Sequence, residues 1–206
     1  MPELRIIAAS AASATIVVAL ATRTRAVQAL DDALERAAGR ARQRVHVLRA
    51  ASIGTLPGEP YMHPSIGAAC AVLVLVAREG PYLRILLPLA AASVGAILAH
   101  HAIKLVYRRP RPAIALGKGK TEPAFPSGHT TDATAVLVTS AYIIVREGIA
   151  PVGVVVPLAI LLALGTGVSR VLLGWHWTTD VIGGWLGGVA IAAGSAGLYE
   201  VLSHTS

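Results

Sequence analysis

Long apolar stretches separated by short polar segments dominate the residue pattern of this chain. A helix needs about 20 mainly apolar residues to cross a bilayer, and most of these stretches reach that length. The first stretch is at the short limit, and the second must begin nearer Tyr61 to be long enough. The pattern predicts six membrane-spanning helices, over residues 6–22, 65–77, 83–106, 127–145, 149–168 and 178–202.

The segment that follows the first apolar stretch has a different pattern. Apolar residues recur at every third or fourth position from Val27 to Leu48, while Arg36, Arg40 and Arg44 fall on another face. This spacing predicts one amphipathic helix that is too charged to cross a membrane. Two interpretations remain open: the helix lies in the interface and binds anionic headgroups, or it packs on the bundle with a solvated face.

Together these patterns predict an all-α fold. We expect a polytopic membrane protein with six transmembrane helices in a bundle, plus an N-terminal amphipathic interfacial helix. We expect one domain over residues 1–206, in which residues 1–60 hold the first span and the amphipathic helix and residues 61–206 form a five-span core. The first apolar stretch lacks a clear cleavage site, so we interpret it as a retained span and not as a signal peptide.

Composition narrows the class of protein. The chain is 54% hydrophobic and only 14% charged, whereas soluble domains carry about 25% charged residues. The net charge of +7 fits anionic lipid headgroups or a phosphorylated substrate. It does not indicate nucleic-acid binding, because the chain has no basic surface rich in aromatic residues. The single Cys70 excludes an intrachain disulfide.

Polar residues of the last four spans fall on one side of the predicted bundle. The loop after the third span, the start of the fourth span and the loop before the sixth span share this side, while the turns near Arg78 and Arg146 lie on the other. Three cations, two histidines and a helix N-terminus gathered at one membrane boundary are typical of a site for a multiply charged anion. The candidate residues are Lys104, Arg111, Ser127, Gly128, His129, Arg170, His176 and Asp180.

His176 and Asp180 are four residues apart, so they can meet on one face of a helix. The aspartate can then hold one imidazole N–H and leave the other nitrogen free as a nucleophile or a base. Arg170 supplies a forked donor for a phosphate or carboxylate beside this pair. A metal site built from His176, Asp180 and His129 is the less favoured alternative, because three nearby cations would repel a divalent ion.

The order and spacing of these residues resemble the three signature motifs of the type-2 phosphatidic acid phosphatase family, which includes the vanadium haloperoxidases. Arg109-Pro110 does not fit the first motif, because the spacing would require a lysine where Ala102 stands. The matching segments are Lys104, six residues and Arg111-Pro112; Pro126-Ser127-Gly128-His129; and Ser169-Arg170, five residues, His176, three residues and Asp180.

The resemblance implies covalent catalysis without a metal or another cofactor. His176 would attack phosphorus and form a phosphohistidine, and Asp180 would orient it and stabilise the cation that forms. His129 would protonate the leaving oxygen and then activate water. The non-bridging phosphate oxygens would be bound by Lys104, Arg111, Ser127, Gly128 and Arg170.

The remaining polar residues of this side have weaker interpretations. His63 is expected in a loop or helix cap, and His100 and His101 are expected as helix-end or packing residues rather than catalysts. Asp132 either raises the pKa of His129 or, as we favour, stabilises the helix N-terminus. The tryptophans 175, 177 and 185 are expected as interfacial anchors. Headgroup or surface contacts are expected for Arg108, Arg109, Lys118 and Lys120.

The expected activity is hydrolysis of a phosphomonoester or diphosphate on a membrane lipid. Polyprenyl diphosphate, phosphatidic acid and phosphatidylglycerol phosphate all fit, and a lipid phosphotransferase would use the same intermediate. A transporter is disfavoured because it would need polar residues midway along several spans. A haloperoxidase is disfavoured because those relatives are soluble. The partners are thus a lipid phosphate and the bilayer, and no pattern indicates an oligomeric state.

The resemblance implies a multi-pass protein of the cell membrane with its site on the extracytoplasmic face. The distribution of positive charge argues for the opposite orientation. Arg5, Arg78, Arg84 and Arg146 lie on the side away from the site, which leaves fourteen of the 18 Lys and Arg residues on the site side. Cytoplasmic loops normally carry this excess. Part of it is explained by the phosphate-binding residues, and we favour the extracytoplasmic site.

Overall fold

The computed structural model describes residues 2–78 and 81–204, and all regular secondary structure in this part of the chain is helical. Glu79 and Gly80 of the predicted turn lie outside the described residues. The helices are α1 (Pro2–Ala21), α2 (Arg25–Ala41), α3 (Val45–Gly54), a 3₁₀ turn (Leu56–Gly58), α4 (Met62–Ala77), α5 (Leu83–Val106), α6 (Ala113–Gly117), α7 (Gly128–Arg146), α8 (Val152–Leu172) and α9 (Thr178–His204).

Four of the described helices, α1, α5, α8 and α9, are long and apolar enough to cross a membrane. A fifth candidate is a broken one, in which Val45–Gly58 and Met62–Ala77 are bent by 58°. The bounds of α5 agree with the predicted third span at both ends. The second apolar stretch is extended toward Tyr61 as expected, because α4 begins at Met62.

Helix α7 is the central helix of the bundle, which explains why it is less apolar than its neighbours. It packs against α4, α5, α8 and α9, and most of its residues are buried. Its threonine side chains lie against protein and not against lipid, so the helix needs no continuous apolar surface. The close contact with α9 depends on two glycines, as the small-residue spacing of that helix predicts. A Cβ at Gly184 would lie 2.8 Å from the Cβ of Thr130, and one at Gly188 would lie 2.5 Å from that of Thr134.

The prediction of one continuous amphipathic helix is wrong in its extent. The segment is divided at residues 42–44 into α2 and α3. Arg42 donates hydrogen bonds to the carbonyls of Val171 and Leu172 at the end of α8, and it forms an ion pair with Glu35. These contacts satisfy carbonyls that the end of a helix leaves without intrahelical partners. They join residues about 130 positions apart, so the local period could not indicate the break.

The long helices alternate in direction, which brings the polar segments together at one end of the bundle. Ser127 donates its N–H to the carbonyl of Asp180, so the starts of α7 and α9 are adjacent. The hydroxyls of Thr22 and Tyr107 are hydrogen-bonded, so the ends of α1 and α5 are adjacent as well. At the opposite end, Glu147 accepts a hydrogen bond from Tyr199. The site therefore lies where α5 and α8 end and where α4, α7 and α9 begin.

Candidate active site

A cavity of about 870 Å³ opens at the end of the bundle where the polar segments meet. Six of the eight candidate residues line it, although they come from three separate segments of the chain. Ser127 and Asp180 are fully buried and lie behind its wall. The six lining residues are Lys104, Arg111, Gly128, His129, Arg170 and His176.

His176 lies between a cation and a carboxylate. Its Nε2 is 3.2 Å from a guanidinium nitrogen of Arg111, and its Nδ1 is 3.5 Å from Oδ2 of Asp180. The second distance is longer than a formed hydrogen bond, and such contacts often shorten when a substrate binds. Burial, followed by the positive charges of Arg111 and Arg170, lowers the pKa of His176 well below its usual value. The imidazole is therefore neutral near pH 7, which is the state that a nucleophile requires.

Asp180 is held by two donors that the motif spacing did not indicate. Arg109 donates to its Oδ1 at 2.7 Å, and the backbone N–H of Trp177 donates to its Oδ2 at 2.9 Å. Arg109 was expected to contact headgroups or the surface, and this expectation is wrong. Only 9% of its side chain is exposed, and its second terminal nitrogen donates to Asp31 at 2.6 Å.

Asp31 connects the amphipathic segment to the start of α9. It is only 2% exposed, and it accepts hydrogen bonds from the backbone N–H and the hydroxyl of Thr179 in addition to that from Arg109. A signal for this position was present in the sequence. Asp31 precedes the buried Ala38 by seven residues, so both lie on the same face of α2. A carboxylate on a buried helical face requires a partner, and Arg109 is that partner.

The three expected phosphate-binding cations surround His176 in different ways. Arg111 also donates to the carbonyls of Glu122 and Trp175, so it holds the two loops that form the cavity wall. Arg170 donates to the hydroxyl of Thr55, and its buried Nε has no hydrogen-bond partner among the described residues. Lys104 lines the cavity from the last turn of α5. The part of the cavity lined by these three cations is therefore rich in hydrogen-bond donors.

The start of α7 contributes His129 and Gly128 to the cavity. Ser127 is the N-cap residue, as its position predicts, but its side chain does not cap the helix. Its hydroxyl accepts from Thr130 instead. His129 has its Nε2 3.3 Å from Oε1 of Glu59, a residue of the segment before α4 that sequence reasoning did not single out. Two histidines thus face one cavity, each with a carboxylate as its partner.

The other polar residues of this side make contacts that the sequence did not indicate. His63 is a buried residue in the first turn of α4, two positions after the N-cap Tyr61, and it lines the cavity. Nε2 of His100 lies 3.4 Å from Oδ1 of Asp132. Trp177 donates its indole N–H to the carbonyl of Pro110, and Trp185 donates to that of Ala163.

Metal ligation finds no support in the described part of the chain. Within residues 2–78 and 81–204, no group of three or more His, Cys, Asp or Glu side chains has the geometry to hold an ion. His176, Asp180 and His129, the set considered above, do not form such a group.

Comparison with known proteins gives consistent results. A sequence model of the PAP2 superfamily matches residues 84–201. The chain is 30% identical over 174 residues to phosphatidylglycerophosphatase B of Bacillus subtilis, which covers 82% of this chain and 83% of that protein. It is 40% identical over 102 residues to decaprenylphosphoryl-5-phosphoribose phosphatase of Mycolicibacterium smegmatis, but this match covers 46% of this chain and about half, 51%, of that relative.

A solved structure is similar over almost the whole chain. It is the crystal structure of a transmembrane PAP2 type phosphatidylglycerolphosphate phosphatase from Bacillus subtilis. The two chains superpose with a TM-score of 0.78 at 26% sequence identity, and the match covers 96% of each. The similarity therefore includes the N-terminal segment with Asp31, which lies before the region that the family model matches.

We predict that Asp31→Asn destabilises the protein and lowers its activity. The substitution leaves the buried Arg109 with one carboxylate in place of two, and breaking a buried ion pair costs roughly 3 kcal/mol or more. Asp32→Asn is the matched control, because the neighbouring Asp32 is exposed and surface substitutions change stability by less than about 0.5 kcal/mol. Denaturant unfolding in detergent, with kcat measured on the same samples, tests this. Equal behaviour of the two variants would contradict a supporting role for Asp31.

Proposed function

The chain belongs to the PAP2 superfamily and is a lipid phosphate phosphatase, and we propose that it works through a phosphohistidine at His176 without a metal ion. One observation carries this proposal: His176 and His129 line the same cavity, together with Lys104, Arg111 and Arg170. A nucleophile, an acid–base group and three cations for the phosphate oxygens are the components that phosphoryl transfer needs.

In the first step, Nε2 of His176 attacks the phosphorus atom in line with the bond to the leaving oxygen. An N–P bond forms, the P–O bond to the lipid breaks, and His129 gives its proton to the departing oxygen. Nδ1 keeps its proton and remains next to Asp180, whose negative charge stabilises the imidazole as it becomes cationic. Arg109 holds that carboxylate in place from its other oxygen.

In the second step, water attacks the phosphohistidine. His129, now neutral, accepts a proton from the water, the N–P bond breaks and inorganic phosphate leaves. Arg111, Arg170 and Lys104 bind the non-bridging oxygens in both steps, where negative charge is spread over three atoms. Gly128 can add its backbone N–H, since it is the first residue of α7. Ser127 can contribute its hydroxyl only if its side chain turns toward the cavity.

The substrate proposed is a phosphomonoester or diphosphate on a membrane lipid. Both curated relatives are named for removal of a phosphate from a lipid, one on a glycerol headgroup and one on a ribose joined to a polyprenyl chain. The polyprenyl diphosphate, phosphatidic acid and phosphatidylglycerol phosphate classes all place a phosphate at the membrane surface. The basic residues of the cavity support any of these anions.

We further propose six membrane crossings, formed by α1, α4, α5, α7, α8 and α9, with α2 and α3 at the interface on the site side. Helix α7 qualifies as a crossing because its neighbours separate its threonines from lipid. The active site then faces the extracytoplasmic side if the N-terminus is cytoplasmic.

We predict that His176→Ala abolishes phosphate release from lipid phosphates, and that a chelator leaves the parent protein active. The alanine removes the nitrogen that forms the covalent bond, while the proposed mechanism contains no metal-bound step. Phosphate release from a panel of lipid phosphates in detergent, with EDTA present, measures both effects. Activity retained by the variant would remove His176 from its role, and activity lost to EDTA and restored by a divalent ion would overturn metal-free catalysis.

We predict that the imidazole of His176 is still mostly neutral at pH 6.5, where an unperturbed histidine is about half protonated. Burial and the adjacent guanidinium groups lower its pKa from a usual value of about 6.5, so the proton is gained only at a lower pH. Nitrogen NMR of histidine-labelled protein in detergent measures this directly. The signal of His176 among the seven histidines is assigned by its loss in His176→Gln. A midpoint at or above pH 6.5 would contradict the prediction.

We predict that a cysteine at position 118 is labelled from outside intact cells. Lys118 is exposed in the loop on the site side, so an impermeant maleimide reaches it if the site is extracytoplasmic. Gly153→Cys is the control for the opposite end, because Gly153 is exposed and an added side chain there meets nothing within 4 Å. Cys70 is buried and can be replaced in both variants. Labelling of position 153 alone would place the site in the cytoplasm.

A further inference from the structure

We propose that His63, His100 and Asp132 form a second subsite of the same cavity, which binds hydroxyl groups of the headgroup that carries the phosphate. The proposal rests on the phosphatase function above and narrows its substrate class. It selects a phosphomonoester on a polyol, such as glycerol or a sugar joined to the lipid, over phosphatidic acid and over a polyprenyl diphosphate.

The three side chains are buried, and the two histidines each have a ring nitrogen without a hydrogen-bond partner among the described residues. Their exposed fractions are 2% for His63, 5% for His100 and 7% for Asp132. These nitrogens are Nε2 of His63 and Nδ1 of His100, whereas Oδ1 of Asp132 makes no hydrogen bond to a described residue but lies 3.4 Å from Nε2 of His100. All three residues line the cavity. Because buried polar groups in proteins are nearly always hydrogen-bonded, a molecule in the cavity is the natural source of partners.

The subsite offers mainly acceptors. Nδ1 of His63 lies 3.2 Å from the carbonyl of Glu59, and a carbonyl only accepts, so Nδ1 carries the proton and Nε2 is left as an acceptor. The carboxylate of Asp132 also accepts. The phosphate end of the cavity has the opposite character, because Lys104, Arg111 and Arg170 only donate. The cavity is therefore divided into a donor end and an acceptor end.

This division selects a neutral group that has hydroxyls. A second phosphate at the acceptor end would meet the negative charge of Asp132 and the acceptor nitrogen of His63. An ammonium group would meet repulsion from Lys104, which is one helical turn from His100 on α5. A hydroxyl group donates one hydrogen bond and adds no charge, so it satisfies an acceptor such as Nε2 of His63 without either repulsion.

The donor end and the acceptor end of the cavity are separated by a distance that fits a phosphorylated polyol. On α5, His100 lies one turn further into the bundle than Lys104, and on α7, Asp132 lies about one turn further in than His129. One turn is about 5.4 Å. This is close to the distance from a phosphorus atom to a hydroxyl on one of the carbons that follow the phosphate-bearing carbon of a polyol. Gly128 permits this arrangement, because a Cβ there would lie 3.1 Å from the ring of His100.

The test compares two phosphomonoesters with matched short acyl chains in detergent. Phosphatidylglycerophosphate has a hydroxyl beside its terminal phosphate, and phosphatidic acid has none. We expect kcat/KM of the parent to favour the first, and Asp132→Asn to lower that preference about tenfold, since a hydrogen bond to a charged group contributes this much. His63→Leu, which removes an acceptor from a different helix, is expected to lower the preference in the same direction.

Thr139→Val is the matched control. Thr139 is a buried residue of α7 whose hydroxyl also has no hydrogen-bond partner among the described residues, but it does not line the cavity. Its substitution should leave the ratio of the two kcat/KM values unchanged. Equal loss on both substrates in Asp132→Asn and His63→Leu, or a parent without any preference, would overturn the subsite. Neither result affects the proposed function, which is tested separately by the activity of His176→Ala.

Discussion

The buried guanidinium of Arg109, shared between Asp31 and Asp180, is the interaction on which the catalytic end of this protein depends. It joins three separate segments: the amphipathic helix α2, the loop after α5 and the first turn of α9. Charges buried in this way are costly unless each one is paired and hydrogen-bonded. Here both carboxylates also accept backbone N–H groups, so the cost is offset and the position of Asp180 beside His176 is fixed.

The same constraint explains how a strongly cationic cavity can be built inside a bundle of apolar helices. The cations that face the cavity are anchored by carbonyls, hydroxyls and loop residues, as Arg111 and Arg170 illustrate. The helices themselves supply only their ends to the site. Their middles form an apolar core, and the small residues of α9 allow α7 to pass through the centre with its threonines protected from lipid.

Much of the fold and of the site follows from the sequence by simple periodicity and spacing. The apolar stretch at residues 83–106 has the bounds of α5. The spacing of the motifs predicted that Lys104, His129 and His176 share one site, and all three line the same cavity. What could not be predicted depends on contacts between distant segments. The division of the amphipathic segment follows from Arg42 binding the end of α8, and the role of Arg109 follows from Asp31, 78 positions away. No local pattern contains such pairs.

The formation of a covalent bond between phosphorus and His176 is the central claim, and trapping that bond tests it most directly. A lipid phosphate is mixed with the protein for less than one turnover, the reaction is stopped under alkaline conditions in which phosphohistidine survives, and the peptides are analysed by mass spectrometry. The mechanism predicts one added phosphoryl group on the peptide that contains His176, at the nitrogen that faces Arg111. Release of phosphate with no such adduct, or an adduct on His129 instead, would contradict it.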